Sequence, residues 1–268
     1  REAWQSAMCR NFYCIGAGSS VTITEGFVGD PETRSLTNSV TSLRVAEGAK
    51  VRHFKVQLEN PISYHLSFVR ASLAELADVR FLQVASGARL SRQELHCDIV
   101  GPQAFVRADA VYLVDGQGHV DLRTEINHRF EKGSSHQLIK GIAADKSRAV
   151  FNGKILIQEG AQQVDSSQLS KTLLLSNTAE VDAKPELEIY ADDVKATHGA
   201  TVGQLDEEQI FYLVSRGIPR GAAETLLAQG FTGEVLDHYR DAGGPIIDNL
   251  DQHISRWVDR NRAAEERG

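Results

Sequence analysis

Apolar and polar residues alternate along most of the chain, and this pattern changes near residue 203. Up to that point, apolar side chains recur at every second position in short runs that end at Gly, Asn, Asp or Pro. Such alternation is typical of β-strands with one buried face. The clearest runs are VRHFKVQL at 51–58, ADAVYLVD at 108–115, GKILIQ at 153–158 and PELEIYAD at 185–192. The block between residues 20 and 202 is therefore predicted to be all β.

The turns between the predicted strands favour a coiled solenoid over an antiparallel sandwich. Tight hairpins are marked by Asn-Gly or Asp-Gly, and only 115–116 and 152–153 carry these dipeptides. Small-residue corners recur instead, as Gly-Ala at 48–49, 87–88, 160–161 and 199–200 and as Asn-Thr-Ala at 177–179. A repeated corner before a short strand suits a parallel β-solenoid, in which each coil pairs with the coils above and below. We predict this core over residues 20–203, after a lead-in at 1–19.

The last segment, 204–268, has apolar positions at helical spacing and is predicted to be a C-terminal helical domain. Asp206 and Gln209 are placed to form a capping box at the start of the first helix. A second short helix is predicted to stop at Gly230, and a third to cover 232–239. The last helix carries a one-sided apolar stripe of Ile246, Ile247, Leu250, Ile254, Trp257 and Val258.

Composition narrows the range of functions. The chain has 268 residues, of which 41% are hydrophobic and 24% charged, and this balance is ordinary for a globular protein. Its net charge of −7 argues against sequence-independent binding to nucleic acid or to anionic membranes, which attract positive surfaces. No apolar stretch reaches the roughly 18 residues of a membrane span, and no signal peptide is recognised. Because the chain starts at Arg1 and has one Met, we expect a preceding portion to be missing.

Three cysteines indicate a reducing compartment, because an odd and low number does not build a disulfide framework. We predict Cys9, Cys14 and Cys97 to be buried, unreactive thiols. The motifs of common enzymes are absent: the chain contains no GxxxxGK[ST], GxGxxG strand-to-helix turn, GxSxG or HExxH. The acidic positions around Glu186 and Glu188 are predicted to be the solvated face of a strand.

His198 is the most conspicuous of the nine histidines. It lies in DDVKATHGATVG, at the junction between the β block and the helices. Imidazole is a suitable ligand for iron and changes charge near neutral pH. The alternative is that His198 caps a turn through a backbone hydrogen bond.

A longer segment shows a resemblance to a known family. Residues 151–219 contain KPELEIYADDVK, HGATVGQLDEE and FYLVSRGI in close succession. This segment resembles the C-terminal core of the SufB/SufD family of iron–sulfur cluster assembly proteins. Weaker similarity extends upstream to about residue 20 and downstream into the helices. The junction sequence is closer to the SufD branch than to the SufB branch.

The resemblance implies a mainly β fold, a right-handed parallel β-helix followed by a C-terminal α-helical domain. It also implies a non-catalytic scaffold subunit that pairs with SufB and is docked by the SufC ATPase on its helices. The family assembles nascent iron–sulfur clusters, so we expect a transient cluster or iron at the SufB–SufD interface and no permanent cofactor. A cytoplasmic location is expected, or a plastid in a plant or alga. A helical region upstream of Arg1 is expected as well.

The resemblance assigns His198 to the family histidine that takes part in cluster assembly at this interface. The family often has a Cys two residues earlier, where this chain has Ala196; a possible thiolate ligand is therefore missing.

An open solenoid ends in a strand with unpaired backbone groups, which tends to recruit another chain. We therefore expect contacts with SufB, or with a second copy of this chain, at Leu187, Ile189, Asp192, Asp193 and Lys195. The one-sided helical faces supply the candidates for SufC docking, which are Ile210, Leu213, Leu250, Ile254 and Trp257.

Two other functions stay open on the sequence. The chain could be a purely structural subunit that holds SufB and SufC without touching metal. It could also be a β-helix enzyme acting on polysaccharide, although such enzymes need clustered carboxylates and the chain shows outward acids without a tight constellation.

Overall fold

Within the residues that the structure describes, the fold consists of fourteen parallel strands followed by helices. The computed structural model describes residues 4–265, with side chains up to Arg262. The strands are β1 Gln5–Ile15, β2 Ser20–Val28, β3 Ser35–Val45, β4 Lys50–Glu59, β5 Tyr64–Leu73, β6 Asp78–Gly87, β7 Leu90–Ile99, β8 Phe105–Val114, β9 His119–His128, β10 Ser134–Ala143, β11 Arg148–Ile157, β12 Val164–Leu174, β13 Glu180–Ile189 and β14 Val194–Gly203. The helices are α1 Glu207–Ser215, α2 Arg220–Leu236, α3 Arg240–Gly243 and α4 Pro245–Glu265, with a 3-10 turn at Asp237–Tyr239.

The strands alternate between two seven-stranded sheets. The odd sheet has the order β1-β3-β5-β7-β9-β11-β13, and the even sheet has the order β14-β12-β10-β8-β6-β4-β2. One odd strand and the next even strand make one coil, and successive coils pair in parallel, as in Gln168↔His198 between β12 and β14. The prediction of a parallel β-solenoid followed by helices is therefore confirmed, with about seven coils.

The solenoid begins earlier than the sequence pattern predicted. Strand β1 starts at Gln5 and pairs along its whole length with β3, so residues assigned to the lead-in 1–19 belong to the first coil. The alternation was hidden because its inward positions include the polar Asn11 and the half-buried Tyr13. The Gly-Ala pair at 199–200 lies inside β14 and is not a corner.

The corners also explain why the Gly-Ala motif does not recur in every coil. Several of them place a residue other than glycine in the left-handed region, at Leu76, Ala88, Gln103, Lys132, Asp145 and Gln163. Because residues of many types occupy this position, glycine marks only some of the coils.

The helical block shares a core with the solenoid. The outer face of the even sheet presents residues such as Phe54, Leu82 and Leu113, and these pack in one cluster with Tyr239 and Trp257 of the helices. The Tyr239 hydroxyl also donates a hydrogen bond of 2.6 Å to the Phe81 carbonyl. The helices therefore cover one face of the solenoid instead of forming a separate layer beyond its end. None of the helices within residues 4–265 is long and apolar enough to cross a membrane.

The helix boundaries differ from the prediction in two places. Asp206 caps α1, but its carboxylate accepts from the Glu208 N–H at 2.9 Å, and no capping box forms with Gln209. The predicted second and third helices are one helix, α2, which continues through Gly230. An exposed glycine costs a helix only about 1 kcal/mol, and the packing of Ala228 and Val235 against the solenoid outweighs it.

A buried polar cluster lies inside the first three coils. Lys55 and His65 are fully buried, and their Nζ and Nε2 atoms are 2.8 Å apart. His65 Nδ1 is 2.8 Å from Glu59 Oε2, and His53 Nε2 is 3.1 Å from Glu25 Oε2. Burial lowers the pKa of Lys55 to about 7 even though both glutamates oppose the change. Burial disfavours ionisation of Glu25, but hydrogen bonds from His53 and Thr41 outweigh it and lower the pKa of Glu25 to about 2.

We expect Lys55 to make the stability of the chain depend on pH. Its folded pKa of about 7 lies below that of an unfolded lysine, about 10.4. Between these values the unfolded state binds more protons, so the free energy of unfolding rises with pH. For this one proton the rise is about 2 kcal/mol from pH 7.5 to 9. Lys55→Met should remove this rise. The measurement is the free energy of unfolding by denaturant at both pH values.

The matched control is Lys50→Met, since Lys50 is exposed on the same strand. It should keep the pH dependence of the wild type. If the free energy of unfolding depends on pH equally in the wild type and in Lys55→Met, Lys55 has the same charge in the folded and the unfolded state.

Candidate functional site

The C-terminal end of the solenoid is open. Strands β13 and β14 are the last strands of the odd and even sheets, and each has one neighbouring strand among the described residues. We call these two strands the C-terminal rim, and β1 with β2 at the other end the N-terminal rim. The free side of each rim strand leaves backbone N–H and C=O groups available to another strand.

His198 lies on the inner face of the C-terminal rim. It pairs in register with Gln168, which is buried inside the solenoid, and Ala196, two residues earlier, packs against the interior cluster of Ile155. Side chains two apart on a strand share a face, so His198 faces inward as well. It is exposed because β14 is the last strand among the described residues.

The His198 side chain makes no hydrogen bond or ion pair with any residue that the structure describes. It lies in the middle of strand β14, so the alternative role of capping a turn is wrong. An exposed imidazole without an internal partner is free to bind a ligand or a second chain.

The other candidates for the rim contact occupy different environments. Leu187 is half-buried and packs inward against Ile155 and Ile157, whereas Ile189 is 40% exposed at the end of β13. Asp192 and Asp193 are exposed in the turn between the rim strands, and Lys195 is exposed on β14. The structure thus brings these residues to the same end of the solenoid as His198.

Tyr190 is a rim residue that the sequence analysis missed. It directly follows β13 and is 64% exposed. Its signal in the sequence is an aromatic side chain near the end of the predicted strand run, two residues before Asp192.

The acidic positions of β13 lie on its outer face and are neutralised locally. Glu188 is 2.9 Å from Lys154 of the neighbouring strand, and Asp182 is 2.6 Å from Arg148. Glu186 pairs with Lys184. The interpretation of this run as a solvated strand face is confirmed.

Potential metal ligands do not form a complete set. Within residues 4–265 no group of three or more His, Cys, Asp and Glu side chains could hold a metal ion. Cys97 is buried, and burial raises the pKa of its thiol far above the usual range. Cys9 and Cys14 are exposed on β1 at the opposite rim, so the prediction that they are buried is wrong. Any metal group at His198 would need further ligands from outside the described residues.

Most of the residues proposed for docking on the helices are unavailable. Ile210, Leu250, Ile254 and Trp257 are each 2% exposed or less. The last three pack in the cluster between the helices and the even sheet, so they cannot form a docking surface in the folded chain. An amphipathic stripe indicates that a face is buried, but it does not say against which partner. Leu213 is half-buried.

A different set of apolar side chains is exposed on α1 and α2. We call Phe211, Tyr212, Val214 and Leu226 the α1–α2 patch; they are 74%, 54%, 41% and 49% exposed. Beside them lies an open groove of about 520 Å³. Its lining residues are Asp206, Glu208, Gln209, Tyr212, Leu213 and Leu227. These exposed apolar side chains are candidates for an interaction site, and α1 follows the rim strand β14 after a short connection.

Comparison with known proteins gives a consistent assignment. A family model described as "SUF system FeS cluster assembly, SufBD core domain" matches residues 2–231. The iron–sulfur cluster assembly protein SufD of Escherichia coli (strain K12) is 36% identical over 242 residues, which are 90% of this chain and 57% of that protein. Protein ABCI7, chloroplastic, of Arabidopsis thaliana is 34% identical over 247 residues, which are 91% of this chain and 52% of that protein.

A second SufD is more distant. The iron–sulfur cluster assembly protein SufD of Bacillus subtilis (strain 168) is 29% identical over 222 residues, which are 82% of this chain and 51% of that protein. The chain thus spans about half the length of the curated relatives it matches. The family model covers most of the chain and includes both rim strands, the His198 position and α1. The chain therefore belongs to the SufB/SufD family of the SUF iron–sulfur cluster assembly system, on its SufD side.

Proposed function

We propose that this chain is a scaffold subunit for the assembly of nascent iron–sulfur clusters, working with SufB and SufC. The observation that carries the proposal is the exposed His198 on the inner face of an open rim, without a complete ligand set among the residues that the structure describes. Such a site is half of a shared one, because the missing ligands and the missing strand partners can both come from another chain. Family membership supports the same conclusion.

Pairing with SufB is proposed to occur through the C-terminal rim. A related solenoid that brings its own last coil against β13 and β14 would continue both sheets and satisfy the free backbone groups of both chains. Without SufB, a homodimer through the same rim satisfies the same groups.

We expect Ile189→Asp to weaken the complex with SufB more than tenfold. The substitution puts an unpaired carboxylate at the rim, where pairing would bury it. Isothermal titration calorimetry with purified SufB measures the affinity. The control is Val28→Asp, because Val28 is 78% exposed at the end of β2 on the opposite rim. Equal loss of affinity in both variants, or in neither, would contradict pairing through the C-terminal rim.

His198 is proposed to bind iron or the nascent cluster, which is the cargo of the assembly, together with ligands from SufB. The competing proposal is that the chain only holds its partners in place. Both proposals predict the same complex, so the amount of cluster formed in the intact complex separates them.

We expect His198→Ala to lower the iron and sulfide recovered with the SufB and SufC complex while leaving the complex intact. Its stability should change by no more than about 0.5 kcal/mol, because an exposed side chain without internal partners is removed. Thr197→Ala is the matched control, since Thr197 is its exposed neighbour on the other face of β14. Anaerobic co-purification with iron and sulfide analysis measures the yield. Unchanged yield in His198→Ala would favour the purely structural subunit.

SufC is proposed to dock on the α1–α2 patch. The patch is exposed and apolar, whereas four of the five residues first considered for docking are buried. Because α1 follows β14 after a short connection, movement of a docked ATPase would be transmitted to the rim.

We expect Phe211→Asp to lower the affinity for SufC at least tenfold, because it places a charge at the most exposed apolar side chain of the patch. Phe130→Asp is the control, as Phe130 is also exposed, at 46%, but lies in a corner of the solenoid between β9 and β10. Binding of purified SufC by surface plasmon resonance measures both. If Phe211→Asp binds SufC like the wild type, the docking surface lies elsewhere.

A further inference from the structure

The interior beneath His198 contains polar groups without protein partners. Gln137 and Gln168 are 3% and 2% exposed, and neither the Oε1 nor the Nε2 atom of either amide has a hydrogen-bond partner in the protein. The hydroxyl of Thr124, on the facing sheet, is also buried and unpartnered. Buried amides and hydroxyls are nearly always hydrogen-bonded in folded proteins. We therefore expect these five atoms to have hydrogen-bond partners that are not protein groups.

The register stacks these groups into one row. Gln137 of β10 pairs with Gln168 of β12, which pairs with His198 of β14. On the odd sheet, Thr124 of β9 pairs with Gly153 of β11. The fifth, sixth and seventh coils thus each contribute one polar side chain on the even sheet, and the row ends at the open rim.

Gly153 keeps room for the amide of Gln168. A Cβ atom at this position would lie 2.3 Å from Gln168 Nε2 and 2.6 Å from the Phe151 ring. The Gln168 side chain therefore crosses the interior toward the odd sheet instead of lying along its own strand. A side chain larger than hydrogen at 153 would displace it.

Another interior glutamine shows that the solenoid can satisfy such a group. Gln57 is fully buried, its Nε2 donates to the Ser86 carbonyl at 3.2 Å, and its Oε1 accepts from the Ser91 hydroxyl at 3.0 Å. The environment of Gln137 and Gln168 is different from that of Gln57. Gln137 pairs in register with Gln168, and Gln168 pairs with the exposed His198.

We propose that Thr124, Gln137 and Gln168 form an internal hydration site that lies directly beneath His198 at the C-terminal rim. The ligand class is water, because the lining groups are neutral and offer both donors and acceptors, whereas an ion would require a counter-charge among them. The site binds ordered water molecules between the amides, and these reach the inner side of His198. If the rim is closed by SufB, a step that rests on the proposed function, this water remains a hydrogen-bond partner for the imidazole.

The test uses the whole chain without partners, so its outcome does not depend on the proposed function. A high-resolution crystal structure should show solvent density within hydrogen-bond distance of the Gln168 amide. Water ¹⁷O relaxation dispersion in solution should count at least one fewer long-lived water in Gln168→Leu than in the wild type. Gln57→Leu, the matched control with a protein-bonded amide, should keep the wild-type number.

Gln137→Leu provides a second variant if Gln168→Leu fails to fold, and it should lose long-lived water in the same way. The hydration site would be overturned by a crystal structure in which the two amides bond to each other or to the backbone with no solvent between them. An unchanged number of long-lived waters in folded Gln168→Leu or Gln137→Leu would overturn it as well.

Discussion

Backbone hydrogen bonding between successive coils is the constraint on which the rest of the structure depends. Each strand pairs in parallel and in register with the strand about one coil later, so every interior strand has two partners. This arrangement cannot satisfy its own ends, and β13 and β14 are left with a free side. The same constraint stacks equivalent side chains along the solenoid. It therefore decides both where another chain can add and which residues lie beneath the contact.

Because equivalent side chains of successive coils stack, buried polar side chains form rows in the interior. The side chains of a row are either bonded to other protein groups or left without protein partners. In the first three coils, Glu25, His53, Lys55, Glu59 and His65 contact one another through hydrogen bonds and ion pairs, and their charges compensate for the loss of water. Beneath His198, Gln137 and Gln168 are neutral, and their amides lack protein partners. The two ends of the solenoid are thus chemically different. Charged side chains lie inside one end, and neutral side chains without protein hydrogen-bond partners lie beneath His198 at the other.

The two outer faces of the solenoid have different roles. The even sheet is covered by the helices, which share its apolar core and are tied to it by Tyr239. On the odd sheet, charged side chains pair across neighbouring strands, as Arg148 does with Asp182. Helix α1 begins shortly after the rim strand β14. The exposed α1–α2 patch and His198 are therefore both near the C-terminal rim. The proposed roles of these two surfaces follow from this arrangement.

Alternation and helical spacing are local properties, so the amino-acid sequence was enough to predict the strand pattern, the change to helices near residue 203 and the position of His198 in the junction motif. It did not reveal that β1 belongs to the solenoid, that Gly230 lies within a helix, or that Trp257 is buried against the even sheet. These features depend on pairing and packing between residues far apart in the chain. Alternation of apolar and polar residues shows which side chains share a face of a strand. Only the stacking of the coils decides which face is covered and which strand is last, and therefore which histidine is left exposed.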